Sequence, residues 1–187
     1  MTRLISILLA LAVLSCTATP PPVDPLPPPV ERWSSLMLGP TLYCGATRTG
    51  LTEATTARHC ISDGLCGTAT DRRGNTVSCE AARLEEDRDV GRLHIDPESS
   101  AAVVEIGRFV PGVAVLVSHI PAPFSEQRIV AYDYPDTEIE GIPLTGLIAW
   151  EGPCAPGQSG SGVFQDGRLV AVVTGFSMTH CIGTKVQ

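Results

Sequence analysis

Two residues carry most of the chemistry open to this chain. His59 stands in Thr-Ala-Arg-His-Cys (residues 56–60), directly before a cysteine, and Ser159 stands in Gly-Gln-Ser-Gly-Ser-Gly (157–162). A serine hydroxyl is a poor nucleophile near neutral pH. It needs a base to take its proton, and the base needs an acid to fix its tautomer. His59 is the natural base. For the acid, the run 85–96 offers Asp87, Asp89 and Asp96, and Asp89 leads a short apolar run, Asp-Val-Gly-Arg-Leu. The glycines beside Ser159 suit a sharp turn that exposes a side chain. They also let the N–H groups of Gly157 and Ser159 aim at one point. Paired donors of this kind stabilise an oxyanion, and losing one costs about 10²–10³ in rate. The chain order His59, Asp89, Ser159 excludes an α/β-hydrolase, which runs serine, acid, histidine, and Ser161 breaks the Gly-x-Ser-x-Gly pattern of that fold.

Such a site needs rigid elements, and the elements here read as strands. The runs 112–121, 128–135, 144–152 and 169–176 are rich in β-branched and aromatic residues. Asp166-Gly167 between two apolar runs signals a hairpin, and Gly74-Asn75 is expected to turn a second one, flanked by Cys66 and Cys79. Many strands set apart by turn signals imply an all-β antiparallel barrel or sandwich. Six cysteines follow residue 40, an even set that suits disulfides, and composition does not choose among their pairings. A bridge from Cys66 to Cys79 across the hairpin is expected. A zinc site built from His59, Cys60, Cys66 and Cys79 lacks the short ligand spacings it would need, so no metal is expected.

The chain start reads differently. Residues 1–16 hold Arg3, then an unbroken apolar run from Leu4 to Leu14, then Val-Leu-Ser-Cys. The run is too short to span a bilayer and suits an export signal. Its end resembles a bacterial lipobox, in which the cysteine, here Cys16, becomes acylated. Residues 17–32 contain seven prolines between Pro20 and Pro29. Proline lacks an N–H and fixes φ, so this segment is expected to be an extended tether. Residues 33–187 are then one domain. With 13 Lys and Arg against 20 Asp and Glu, the chain carries a net charge of −7. That balance argues against a nucleic-acid partner.

The chemistry-bearing runs together resemble a chymotrypsin-like (trypsin-fold) serine protease. Thr-Ala-Arg-His-Cys is similar to the family's Thr-Ala-x-His-Cys, and Asp-Val-Gly-Arg-Leu to its Asp-(Ile/Val)-Ala-x-Leu. Gly-Gln-Ser-Gly-Ser-Gly is similar to Gly-Asp-Ser-Gly-Gly-Pro, and the longer run 146–162 looks most like the minimal bacterial streptogrisin group. The run 166–176 resembles the strand that lines the substrate cleft, which assigns Thr174, Gly175 and Phe176 to substrate binding. The resemblance covers about residues 38–187. It implies a double antiparallel β-barrel with the active site between the barrels. It also implies bridges Cys44–Cys60 and Cys154–Cys181, and a serine endopeptidase that needs no cofactor. The expected protein is an exported monomer, membrane-tethered through Cys16, that acts on protein or peptide substrates. The rival from another class is an inactive binding module that keeps the fold.

Two departures from the family stand out. Gln158 replaces the aspartate that receives a newly cut N-terminus in trypsin-like zymogens, so that switch is expected to be missing. Arg58 is unusual before the histidine; it is expected either to be solvated or to lower the imidazole pKa. No acid lies in 152–156, so a preference for Arg or Lys before the cut is not expected, and Phe176 at the pocket wall would favour a small or medium apolar residue.

Overall fold

The structure is a computed structural model and describes residues 30–39, 44–61, 66–118, 127–139, 142–152, 154–177 and 179–187. The export signal, Cys16 and nearly all of the tether lie outside the described residues. After a single helical turn, α1 (Val30–Trp33), come β1 (Ser35–Gly39), β2 (Cys44–Arg48), β3 (Glu53–Thr56), β4 (Gly67–Asp71), β5 (Thr76–Leu84) and β6 (Gly91–Ile95). These six strands pair antiparallel and close a barrel in the order β1-β2-β3-β6-β5-β4. Next are β7 (Ala114–Ser118), β8 (Gln127–Asp133), a small hairpin of β9 (Thr137–Ile139) and β10 (Ile142–Leu144), β11 (Leu147–Glu151), β12 (Gly162–Gln165), β13 (Arg168–Phe176) and β14 (His180–Lys185). Without the hairpin they close a second barrel, β11-β14-β13-β12-β7-β8. Closure leaves neither sheet with an open edge.

Period-2 alternation fills each barrel. In β1, Leu36 and Leu38 face inward and Met37 outward. In the second barrel, Val115 and Val117 of β7 meet Ile148 and Trp150 of β11, and Trp150 is fully buried. Strand β2 is buried along its whole length because both its faces are covered. Ala46 joins the first core, while a Cβ added to Gly45 would sit 2.9 Å from Ser161 Oγ in the second barrel. Gly162 approaches just as closely, since a Cβ there would lie 2.5 Å from both Thr47 Oγ1 and the Phe164 ring. The first core continues through Phe164, Leu169, Val172 and Val186 of the second half, so the two barrels meet on apolar surface.

Turns explain where the strands stop. Asp166 and Gly167 both have positive φ (48° and 76°), the type I′ geometry that a two-residue hairpin loop favours. The β4–β5 hairpin differs from the expected two-residue Gly-Asn turn: its loop is 72–75. The carboxylate of Asp71 accepts the N–H groups of Arg73 (2.8 Å) and Asn75 (2.9 Å), which sets a wider turn. The expected strand over 144–152 is broken at Gly146 (φ 66°), which separates β10 from β11. Disulfides join Cys44 to Cys60, Cys66 to Cys79 across the β4–β5 hairpin, and Cys154 to Cys181.

Candidate active site

His59 lies in a one-turn 3₁₀ segment, Arg58–Cys60, that follows β3. Cys60 ties this turn to β2 through Cys44. Below it, buried Ile61 packs so tightly on Gly91 that a Cβ there would come within 2.7 Å of the Ile61 side chain. Asp89 sits in the β5–β6 loop, which the Glu85 N–H closes by donating to the Val90 carbonyl at 3.0 Å. Asp89 is buried, and both of its carboxylate oxygens are spent on one residue. Oδ1 accepts the main-chain N–H of His59 at 2.9 Å, and Oδ2 lies 2.8 Å from His59 Nδ1. This two-point grip fixes the ring's orientation and places the proton of the neutral tautomer on Nδ1, which makes Nε2 the basic nitrogen. The hydrogen bond to Asp89 raises the His59 pKa above its ordinary value; burial opposes the rise and the Asp89 charge adds to it. The His59 side chain remains 46% exposed, so an incoming molecule can reach it.

The rival acids do other work. Asp87 is 75% exposed, and Asp96 caps the Glu98 N–H at 2.9 Å. Arg58 is half-buried and has definite main-chain partners. Its Nη1 donates to the carbonyls of Glu85 and Glu86, each at 3.0 Å, so the side chain links the histidine turn to the loop that carries Asp89. Aimed at those carbonyls, it does not depress the imidazole, whose pKa moves upward. The Sγ atoms of Cys44 and Cys60 lie near the His59 ring, but they are bonded to each other, which leaves no thiolate there for a metal.

Ser159 stands in the loop between β11 and β12. The Gly160 N–H donates to the Val173 carbonyl (2.7 Å) and the Ser161 N–H to the Gln158 carbonyl (3.1 Å). The Ser159 carbonyl itself accepts the Gly45 N–H of β2 at 2.7 Å. Gly160 has φ 77°, and a Cβ there would overlap the Gly45 carbonyl and Thr56 Oγ1. Only glycine allows this approach. Thr56 Oγ1 donates to that same Gly45 carbonyl at 2.6 Å. The serine loop is thus wedged onto β2 and the end of β3, three residues before His59. The Gly45 N–H and the Cys44–Cys60 bridge link the Ser159 main chain through β2 to the turn that carries His59. Gly157 has φ 91°, and among the described residues the turn's hydrogen bonds do not draw on the N–H groups of Gly157 or Ser159.

The three residues expected to bind substrate lie at the end of β13. Thr174 is buried, its hydroxyl 2.6 Å from that of Thr184. A Cβ at Gly175 would meet open space. Phe176 is 56% exposed and opposite Cys181, beside the Cys154–Cys181 bridge. Sequence reading missed Gly45, Thr56 and Thr145 as supports of the site. Thr145 Oγ1 donates to the Asp87 carbonyl at 2.9 Å, reaching from the second half to the acid's loop. Nothing local marks Gly45 or Thr145, and the motif that holds Thr56 does not name its partner, because each acts on a distant main-chain group.

No protein-family model matches the chain. No curated protein matches it either. Solved structures do. The MamO protease domain from Magnetospirillum magneticum (apo form) superposes with a TM-score of 0.68 at 12% identity, over 84% of this chain and 94% of that one. The serine protease of human pathogenic astrovirus gives 0.65 at 11% identity, over 83% and 91%. An inactive form of the Rv3671c protease gives 0.62 at 14% identity, over 83% and 85%. Likeness at such identity is likeness of fold. With two closed six-stranded antiparallel barrels and three disulfides, the chain has the chymotrypsin-like double-barrel fold.

Proposed function

We propose that the protein is an exported serine endopeptidase that works through His59, Asp89 and Ser159. The observation that carries this reading is the two-point bond from buried Asp89 to the main chain and ring of His59. A carboxylate so placed holds one tautomer and steadies the imidazolium once it forms. In the proposed reaction Ser159 Oγ attacks the carbonyl carbon of a peptide bond while His59 Nε2 takes its proton. The N–H groups of Gly157 and Ser159 hold the oxyanion. The C–N bond then breaks as the imidazolium returns the proton to the leaving amine. Water, activated by the same imidazole, releases the acyl group. Three disulfides point to an oxidising, extracytoplasmic compartment, which agrees with the export signal read at residues 1–16. Among the described residues no helix is long and apolar enough to cross a membrane.

A fluorophosphonate probe tests the reading. Wild type is expected to be labelled, and Ser159→Ala and His59→Ala are expected to resist labelling. A wild type that stays unlabelled across pH 6–9, a window around the histidine range, refutes the hydrolase and leaves a binding module on the same fold.

A further inference from the structure

The loop that carries the proposed oxyanion donors is built from within. Between Cys154, anchored to β14 by its bridge to Cys181, and Ser159 there are four residues, Ala-Pro-Gly-Gln. Gln158 closes them twice. Its Oε1 accepts the Ala155 N–H at 2.9 Å, and its own N–H donates to the Ala155 carbonyl at 3.2 Å. The two bonds form a small ring around Pro156 and Gly157. Proline fixes φ at Pro156, and Gly157 takes the positive φ of 91° that such a tight reversal demands. The conformation of Gly157 is therefore held by this turn, to which the Gln158 side chain adds one of the two closing bonds. Both ends of the cap lie within the loop, three residues apart, and neither bond calls on the N-terminal segment of the chain.

We propose that Gln158 is a positioning residue that shapes the 155–159 turn for oxyanion binding, so that the site is assembled without any cut or docking of the chain's N-terminus. The proposal rests on the endopeptidase reading and deepens it, since it names how that site is regulated, or rather left constitutive. The acceptor oxygen is the working part. Gln158→Glu keeps an oxygen at the same reach, whereas Gln158→Met keeps the length and loses the acceptor.

The test compares these two variants in the full chain. Gln158→Met is expected to lower kcat by about 10²-fold, the cost of losing one oxyanion donor, with KM changed little. Its affinity for a peptidyl boronate, which mimics the tetrahedral state, is expected to fall in step. Gln158→Glu is expected to recover most of both losses. Chains with and without residues 1–29 are expected to react alike with the fluorophosphonate. A Met variant as active as wild type, a Glu variant no better than Met at equal thermal stability, or labelling that appears only after removal of residues 1–29 overturns the proposal. Amide hydrogen exchange at Ala155 reads the cap without turnover. Protection in wild type and Gln158→Glu that is lost in Gln158→Met supports the cap even if no probe reacts, in which case the endopeptidase reading alone fails. An Ala155 amide equally unprotected in all three overturns the cap itself.

Discussion

The imidazole of His59 works only in its neutral form, so the residue that sets its charge also sets the working range. Asp89 raises the His59 pKa chiefly by hydrogen bonding, so activity should be lost as pH falls through that raised value. Asp89→Asn removes the carboxylate. The acid limb of kcat/KM against pH is then expected to move down, toward or below the ordinary histidine value of about 6.5. The plateau kcat is expected to fall about 10⁴-fold, because the ring is no longer held in the required tautomer. A pH–rate series on both proteins checks both effects. The same shift has a stability side. Its contribution is complete below the unfolded-state histidine value and is lost as pH rises through the folded value. The pairing of His59 with Asp89 was legible in the sequence because each lies in a short run whose neighbours constrain it. Arg58 was not, since its partners are backbone carbonyls 27 and 28 residues away, and a carbonyl carries no side-chain identity to read. Arg48 was hidden for the same reason. Buried in the first half, it donates to the carbonyls of Gly50, Leu51, Pro97, Ser99 and Ala101 and so staples the β2–β3 turn to the segment leading out of that barrel.

At the scale of elements, hairpin turns decide how strands are registered, and they differ in how openly the sequence announces them. Asp166-Gly167 is self-contained: two residues that tolerate positive φ make the turn by themselves. The β4–β5 turn is not, because it depends on one carboxylate. Burial works to raise the Asp71 pKa, but hydrogen bonds from Ser100, from the Asn75 side chain and from the main chain of Asn75 and Arg73 outweigh it and bring the pKa below the usual value. The stability this supplies is present above the unfolded-state aspartate value of about 3.9 and is lost as pH falls through the lower folded value. Asp71→Ala is expected to cost about 2 kcal/mol at pH 7, measured by urea unfolding. The gap to wild type should narrow in the same measurement at pH 3. If the two proteins unfold alike at pH 7, the carboxylate does not organise this turn.

For the molecule as a whole, the two barrels are held by an apolar interface and by a few polar bonds across it. Ser35 Oγ lies 2.9 Å from Ser118 Oγ, and Arg92 donates to the Val186 carbonyl at 3.2 Å. Each disulfide closes a modest loop, with separations of 16, 13 and 27 residues. Chain entropy alone then makes each worth about 3 kcal/mol. An antiparallel barrel or sandwich was legible because β-rich runs are set apart by turns that carry Gly, Asp and Pro, and the family resemblance narrowed that to a double barrel. The inter-barrel packing was not, since Gly45 and Gly162 look like any strand glycine until β2 and β12 are laid side by side. The tether belongs to this scale too. If Cys16 is acylated, Cys16→Ser is expected to move the protein from the membrane fraction to the soluble exported fraction, with fluorophosphonate labelling unchanged; equal fractionation of both forms would refute the anchor.

The bond from Gly45 to the Ser159 carbonyl gives this architecture an unusual ownership of its reactive hydroxyl. Ser159 belongs covalently to one half, and its carbonyl leans on the other through the Gly45 amide. Any sliding of the halves past one another is therefore felt at the nucleophile before either hydrophobic interior opens, so gentle warming would quench reactivity while both sheets are still intact.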